Sequence, residues 1–446
     1  MKNNVLILGA GMVAKPIVNY LLDNNFNVTL GDIYLEKAKT LIGEKTNGTA
    51  LEFSIENSEL LDKLVSTNDL TVSLLPYKFH VQVAKVCIKH KKDMLTTSYV
   101  SAEMQALDEE AKNAGIIILN EIGLDPGIDH MSAMRIIDKI HSEGGQIIDF
   151  YSITGALPER EAVNNPFAYN FSWSPKGVIL ASNNSAKYLK QGELIETPTE
   201  DLFKDTFNLF FPEVGVLEVY PNRNSTDYID IYGIPEAETV YRGTFRYEGW
   251  CEIMDKIKAM NLISNTEMDF SGMSYRQFVE TMMNDLSDFS IEDKISNYFD
   301  DEDVELLLDA LYYIDLLSEK EMGYGKTTPF EITSDRMISK MILAEDASDM
   351  VAMQHIFLAE YEDGRREVIK SSLLNFGNPK TETAIARTVA LPAAIGVKNI
   401  LSGIITEKGV LRPTIPTIYN PVLDELETLG IKMIEEYGLP MEENIQ

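Results

Sequence analysis

Short apolar runs alternate with amphipathic stretches through the first third of the chain. Val5-Leu6-Ile7-Leu8 and Val28-Thr29-Leu30 read as strands, followed by candidates at Ala50–Phe53, Leu70–Leu75, Met94–Thr97 and Ile116–Leu119. Helical periodicity separates the later ones, at Phe79–His90 and Ser101–Ala114. This alternation predicts a doubly wound parallel sheet of Rossmann type, the α/β class. From about Asp125 the pattern changes. A helix predicted over Asp129–His141 feeds a strand at Gln146–Ile153, then loops rich in Asn, Pro and aromatic residues. Further strands are predicted near Val216–Tyr220, Thr239–Tyr247 and Met353–Glu360, the pattern of a mixed α/β second domain. Between Cys251 and Ile342 helical periodicity dominates and acids accumulate, most densely at Asp300-Asp301-Glu302-Asp303, which reads as a helical insertion with a solvated face. After Thr383 a long apolar helix reaches towards Gly403, with Pro392 expected to kink or interrupt it.

The first strand runs into Gly9-Ala10-Gly11-Met12-Val13-Ala14, a glycine turn that opens a helix. Gly9 allows the tight turn, Gly11 lets backbone approach a pyrophosphate, and Ala14 lets helix and strand pack closely. The helix N-terminus then offers N–H groups to phosphate. Gly9, Ala10, Gly11, Met12 and Val13 are therefore candidate dinucleotide-binding residues. Asp32, after the second strand, is placed to accept hydrogen bonds from a ribose, and its charge would repel the extra phosphate of NADP. Ile33-Tyr34-Leu35-Glu36 brings no Arg, and the nearest base is Lys37. The expected cofactor is NAD in preference to NADP; the alternative reading makes Asp32 a cap on the next helix.

Ligands of open α/β sheets bind beyond the carboxyl ends of the strands. Leu75-Pro76-Tyr77, Thr97-Ser98-Tyr99 and the block from Glu121 to His130 meet that criterion, which adds Leu75, Pro76 and Ser98 to the cofactor set. The last block gathers Asp125, Asp129 and His130 around a Pro-Gly turn leading into a helix, where either acid also serves as an N-cap. Farther on, Asn222-Arg223-Asn224 and Arg242-Gly243-Thr244-Phe245-Arg246 place arginines beside strand ends. Such arginines suit bidentate recognition of carboxylates, against the alternative of surface ion pairs.

Composition narrows the field. A chain of 446 residues accommodates two or three domains. Its 39 basic and 70 acidic residues leave a net charge of −31, which argues against nucleic-acid and anionic-membrane partners and requires a local cluster of Arg or Lys for any anionic substrate. Cys87 and Cys251 make no disulfide framework, which suits the reducing cytoplasm. The histidines (80, 90, 130, 141, 355) are too scattered to suggest a metal site, and none is expected. Met322-Gly-Tyr-Gly lacks the Lys-Ser/Thr pair of a phosphate-binding loop. The apolar stretch Val389–Val397 is too short for a membrane span, and Met1-Lys2-Asn3-Asn4 leads straight into a strand with no signal-peptide pattern.

Taken together, these segments resemble the glutamate-forming saccharopine dehydrogenase (saccharopine reductase) family nearly end to end. The resemblance rests on Gly9-Ala-Gly-Met-Val-Ala-Lys-Pro, Ser73-Leu-Leu-Pro-Tyr, Thr97-Ser-Tyr and Glu121-Ile-Gly-Leu-Asp-Pro-Gly-Ile-Asp-His. It continues through Asn165-Pro, Phe171-Ser-Trp-Ser, Tyr220-Pro-Asn-Arg, Ile234-Pro-Glu-Ala-Glu-Thr, Arg242-Gly-Thr and Gly409-Val-Leu. It implies oxidation of saccharopine, a tricarboxylate secondary amine, to glutamate and 2-aminoadipate 6-semialdehyde. Ser98, Tyr99, Asp125, Arg223, Thr244, Phe245 and Arg246 would line the substrate site, with Asp125 and Tyr99 as the catalytic proton-handling residues. The resemblance also implies a homodimer. The resulting domain plan is 1–125 as the dinucleotide-binding domain, completed by about 385–446; 126–250 and 343–384 as a substrate and dimerisation domain; and 251–342 as the helical insertion.

Two departures bear on these expectations. Fungal members carry Cys-Gly-Gly-Leu-Pro where this chain has Thr154-Gly155-Ala156-Leu157-Pro158, so no thiol can titrate there. Fungal NADP-dependent members place Arg just after the second strand, where this chain has Ile33. The alternatives are a dehydrogenase of a related carboxylated secondary amine and a catalytically silent dinucleotide-binding protein.

Overall fold

The computed structural model describes residues 3–285, 287–299 and 304–445; the acidic run Asp300-Asp301-Glu302-Asp303 lies outside them. The chain divides into two compact units, one of Met1–Ile148, Ile231–Ile234 and Met353–Gln446, the other of Asp149–Asp230 and Pro235–Ala352.

The first unit opens with the expected alternation: β1 (Asn4–Leu8), α1 (Ala14–Asp23), β2 (Asn27–Asp32), α2 (Leu35–Ile42), β3 (Gly48–Glu52), α3 (Ser58–Thr67), β4 (Leu70–Ser73), α4 (His80–His90) and β5 (Asp93–Leu95). The stretch Ser101–Ala114 forms two helices rather than one, α5 (Ala102–Gln105) and α6 (Asp108–Ala114), before β6 (Ile117–Leu119). Ser101 caps α5 by accepting the Met104 N–H, and the chain bends where Leu107 turns into the core. Leu6, Leu8, Phe53, Leu61, Val83, Met94 and Ile118 pack into one core beneath α3, α4 and α6.

A turn then leads into α7 (Ile128–Ser142). Gly127 ends that turn with φ +149°, and a Cβ on it would come within 2.0 Å of the Gly123 carbonyl oxygen. Asp129 Oδ1 accepts the Gly127 N–H at 2.5 Å. Asp129 is thus a buried brace on the helix start from within the first turn, not the N-cap that the sequence left open to it, since Gly127 holds the cap position. Strand β7 (Gly145–Pro158) follows and continues into the second unit.

That unit contains α8 (Pro175–Ala181), β8 (Ala186–Lys190), β9 (Glu193–Thr197), β10 (Phe207–Phe211), β11 (Gly215–Pro221), the start of α9 (Asp227–Tyr232), whose Ile231 and Tyr232 belong to the first unit, and β12 (Thr239–Arg246). Its strands run in the order β10-β11-β12-β7, with β8 pairing β12 and β9 pairing β8. β11 and β12 are antiparallel whereas β12 and β7 are parallel, so the sheet is mixed. Helices α10 (Trp250–Ala259), α11 (Tyr275–Met283), α12 (Ile291–Phe299), α13 (Glu305–Tyr313) and α14 (Pro329–Met341) belong to the same unit, with a short hairpin of β13 (Met268–Asp269) and β14 (Lys326–Thr327). Ser274 and Gln277 form a reciprocal capping box on α11, and Thr328 caps α14 with Pro329 in its first turn.

The chain returns to the first unit through β15 (Asp349–Tyr361) and continues with β16 (Arg366–Phe376), α15 (Ala384–Leu401), β17 (Gly409–Leu411), α16 (Pro416–Thr428) and β18 (Ile434–Leu439). β17 joins the edge of the opening sheet, which among the described residues reads β17-β6-β5-β4-β1-β2-β3 with every pair parallel. The long apolar helix forms as α15 and runs unbroken through Pro392. At 18 residues it is longer than the Val389–Val397 stretch and meets the length and composition of a membrane span, yet 72% of it is buried and it packs on α1 and α16 as a core helix.

The Gly127 geometry predicts that Gly127→Ala destabilises the first unit by about 3 kcal/mol, because its Cβ has nowhere to go and its φ disfavours any L side chain. A urea-denaturation midpoint for the two proteins measures this.

Candidate functional site

β1 lies between β2 and β4, so the strand order reverses there and the carboxyl end of β1 opens a crevice. Gly9 leaves β1 with φ +108° and donates its N–H to the Gly31 carbonyl at 2.8 Å. A Cβ at Gly9 would stand 2.9 Å from the Leu74 carbonyl oxygen, whereas one at Gly11 would meet nothing within 4 Å. The first glycine is therefore required by the protein's own backbone, and the second leaves open space where a pyrophosphate would approach. Met12 is exposed, and α1 starts with neither a side-chain cap nor an acid in its first turn. Ala14 is fully buried, as close helix–strand packing requires. These residues fit a dinucleotide's phosphates.

Asp32 is otherwise employed. Its Oδ2 accepts the Ala10 N–H at 2.7 Å and its Oδ1 the Tyr34 N–H at 2.8 Å. The carboxylate braces the glycine turn and the entry to α2, close to the capping role considered for it. It also takes up the N–H of Ala10, which leaves Gly11, Met12 and Val13 as the phosphate-facing part of the turn. Beyond it Ile33 and Tyr34 are exposed, and Lys37 Nζ lies 4.8 Å from the Tyr34 ring centroid.

Past β4, Leu75 is half-buried and Pro76 exposed. His80, at the start of α4, stands under this edge: Nδ1 is 2.9 Å from Ser73 Oγ, and Nε2 is 2.9 Å from Ser98 Oγ and 3.3 Å from Thr96 Oγ1. Burial pushes the imidazole pKa down to about 4. A lone histidine in sequence carried no signal of this role.

Tyr99 and Asp125 come together, with the tyrosine hydroxyl donating to Asp125 Oδ1 at 2.9 Å. Glu121 and His130, which flank the Asp125 turn, are buried, with Oε2 2.7 Å from Nε2. Burial would raise the Glu121 carboxyl, but His130, the Arg412 guanidinium and the Val100 N–H hold it below the usual carboxylate range.

In the second unit, Thr244, Phe245 and Arg246 close β12, and Arg223 follows β11 with φ +56° and an exposed side chain. Phe245 is fully buried, its ring edge-on to Phe211 and its backbone against Gly155, so its side chain belongs to the core. Thr154 is the register partner of Thr244, and its buried hydroxyl lacks a hydrogen-bond partner among the described residues. Arg246 is 5% exposed. Its guanidinium lies 4.9 Å from the Tyr169 ring, 5.4 Å from Trp250 and 5.8 Å from Tyr220, while Nη1 donates to the Phe245 carbonyl at 2.9 Å. Among the described residues no carboxylate stands within ion-pair distance of it, Glu218 included, although Glu218 is its register partner on β11.

A cavity of about 300 Å³ lies elsewhere in the first unit, lined by residues including Ile128, Arg135, Leu423 and Lys432. Its basic groups are already paired, Arg135 with Asp424 and Lys432 with Glu427, so it offers no comparable anion site.

Sheet order and glycine turn place this chain among the Rossmann-type dinucleotide-binding proteins. Two family models match it: the saccharopine dehydrogenase NADP binding domain over residues 5–119 and the saccharopine dehydrogenase C-terminal domain over 123–431. The chain belongs to the saccharopine dehydrogenase family. It is 36% identical to the saccharopine dehydrogenase [NADP(+), L-glutamate-forming] of Schizosaccharomyces pombe, over 97% of this chain and 98% of that protein. The solved apo structure of the L-Glu-forming saccharopine dehydrogenase from Saccharomyces cerevisiae superposes with a TM-score of 0.89, at 35% identity and covering 98% of this chain and 99% of that one. The alpha-aminoadipic semialdehyde synthase of Arabidopsis thaliana is 34% identical over 98% of this chain, which spans 45% of that longer protein.

These matches overturn the expectation of NAD. The family model over the first domain is that of an NADP-binding domain, and the fungal relatives are named for NADP(+). The physical reason lies in Asp32, whose oxygens are turned onto two backbone amides. An acid at that sequence position does not therefore measure ribose specificity.

The His80 environment has a consequence for stability. In the unfolded chain the imidazole takes a proton below about pH 6.5, but in the folded protein only below about 4. Stability therefore falls as pH drops through that window, by about 3 kcal/mol from this group. Denaturant unfolding between pH 7 and 4 should show the decline, and His80→Asn should flatten it.

Proposed function

We propose that this protein is an NADP-dependent, glutamate-forming saccharopine dehydrogenase, which oxidises the secondary amine of saccharopine and yields glutamate and 2-aminoadipate 6-semialdehyde. The observation that carries this reading is Arg246. A buried guanidinium with no carboxylate partner among the described residues, in a chain of net charge −31, calls for an anionic ligand. A substrate with three carboxylates supplies it.

When bound, the dinucleotide supplies the hydride acceptor. Gly11, Met12, Val13 and the N-terminus of α1 would hold its phosphates, with Gly9 making the turn and Leu75, Pro76 and Ser98 flanking it. The substrate ammonium has to lose a proton before its neighbouring C–H bond can break. Asp125, hydrogen-bonded by Tyr99, takes that proton. The oxidised substrate is an imine; water adds to its carbon, and the C–N bond breaks as the glutamate nitrogen is protonated by the same pair. Arg223 and Arg246 bind substrate carboxylates, Thr244 and Ser98 add hydroxyl donors, and Phe245 acts through the carbonyl that holds Arg246. Thr154, which cannot titrate near neutrality, leaves the proton transfers to Asp125 and Tyr99.

The test is absorbance at the reduced-nicotinamide band with purified protein, saccharopine, and NADP or NAD in parallel. A rise with NADP is expected; bound dinucleotide without any rise would refute the reading. Tyr99→Phe and Asp125→Asn should each lower kcat by about 100-fold. Arg246→Met should instead raise KM for saccharopine about 10- to 100-fold, with little change in KM for NADP.

A further inference from the structure

Tyr99 lies in a connection with no strand or helix of its own, between β5 and α5. Glu121 holds that connection on both sides. Its backbone N–H donates to the Ser98 carbonyl at 3.1 Å, and its Oε1 accepts the Val100 N–H at 2.8 Å. One residue thus grips the peptide groups before and after Tyr99. Four positions along the chain from Glu121 stands Asp125, the carboxylate that the Tyr99 hydroxyl reaches.

Glu121 adopts φ +57°, a left-handed conformation unusual for a long side chain, and it is 3% exposed. Such a backbone persists only where its surroundings over-determine it. Here they do. Oε2 is 2.7 Å from His130 Nε2 on α7, and Oε1 also accepts from Arg412 Nε, just past β17, at 3.0 Å. His130 is fixed in turn, with Nδ1 2.8 Å from the Tyr232 hydroxyl and its ring edge-on to that of Tyr232. If packing alone were at stake, a glycine would suit the backbone better and an apolar side chain the interior. A carboxylate bonded at both oxygens instead gives the Tyr99 connection a rigid anchor.

We propose that Glu121 is a positioning residue that sets the Tyr99 hydroxyl against Asp125, with His130 and Arg412 fixing its carboxylate. This rests on the reading of Tyr99 and Asp125 as the proton-handling pair.

A double-mutant cycle tests it. Glu121→Gly removes the carboxylate and keeps a residue at ease with the left-handed backbone. In the wild-type background it should lower kcat at least about 10-fold, with KM for NADP within about two-fold. In the Tyr99→Phe background, where no hydroxyl remains to be placed, the same substitution should change kcat by less than about two-fold. Glu121→Gln keeps an acceptor for the Val100 N–H and should recover most of the loss. Equal losses in both backgrounds, or no loss in either, would overturn the proposal. If Glu121→Gly does not fold, Glu121→Asp takes its place in the cycle: aspartate tolerates this backbone, and its shorter side chain withdraws the carboxylate from Val100. The single variants Tyr99→Phe and Asp125→Asn separate the two readings. If both keep full kcat, the proton-handling pair and with it the positioning role are wrong; if both lose it while Glu121 variants do not, only the positioning role is.

Discussion

The first unit is organised around the close approach of two backbones at the end of β1. Gly9 passes the Leu74 carbonyl at a distance no side chain would permit, while its N–H bonds to Gly31 at the end of β2. That contact ties the turn to both strands flanking β1 at the point where the strand order reverses. The position of α1, the open space beside Gly11 and the direction of the Asp32 carboxylate all follow from it. Asp32 then locks the turn from the other side through the Ala10 N–H.

Burial of charge follows a different logic in the two units. In the first, the Glu121 carboxylate is met at both oxygens by His130, Arg412 and a backbone amide, so a costly ion is compensated several times over. In the second, Arg242 is buried with its guanidinium over Tyr228 and bonded to that hydroxyl, whereas Arg246 keeps aromatic faces and one carbonyl but no counter-ion among the described residues. Two guanidiniums four residues apart on one strand thus have different tasks. One is bonded to a tyrosine hydroxyl within the fold, and the other is the guanidinium proposed to bind a substrate carboxylate.

Sequence periodicity located the elements of the opening sheet well because each strand is a short apolar run bounded by turn residues. It failed where a local signal had two meanings. An acid after the second strand can serve a ribose or a backbone amide, and Asp32 serves amides. Phe245 sits between two residues of the expected substrate set, but alternation along β12 turns its ring into the core against Phe211. His80 and Glu121 were absent from the expected site because their partners lie on other strands, loops and a helix. Ser73, Thr96 and Ser98 surround His80; Val100, His130 and Arg412 surround Glu121.

By itself, the sequence determined the α/β class, the glycine turn, the family, and the pairing of Tyr99 with Asp125 as candidates for one chemistry. These are properties of local pattern: period, glycine spacing and a long contiguous motif. Only the tertiary structure decided which polar groups the protein itself already employs. That accounting separates Asp32 from a ribose acceptor, and the hydroxyl-bonded Arg242 from Arg246, which has no counter-ion among the described residues. It depends on hydrogen-bond partners brought together from distant parts of the chain, and the energy of a buried charge is set by those partners rather than by its neighbours in sequence.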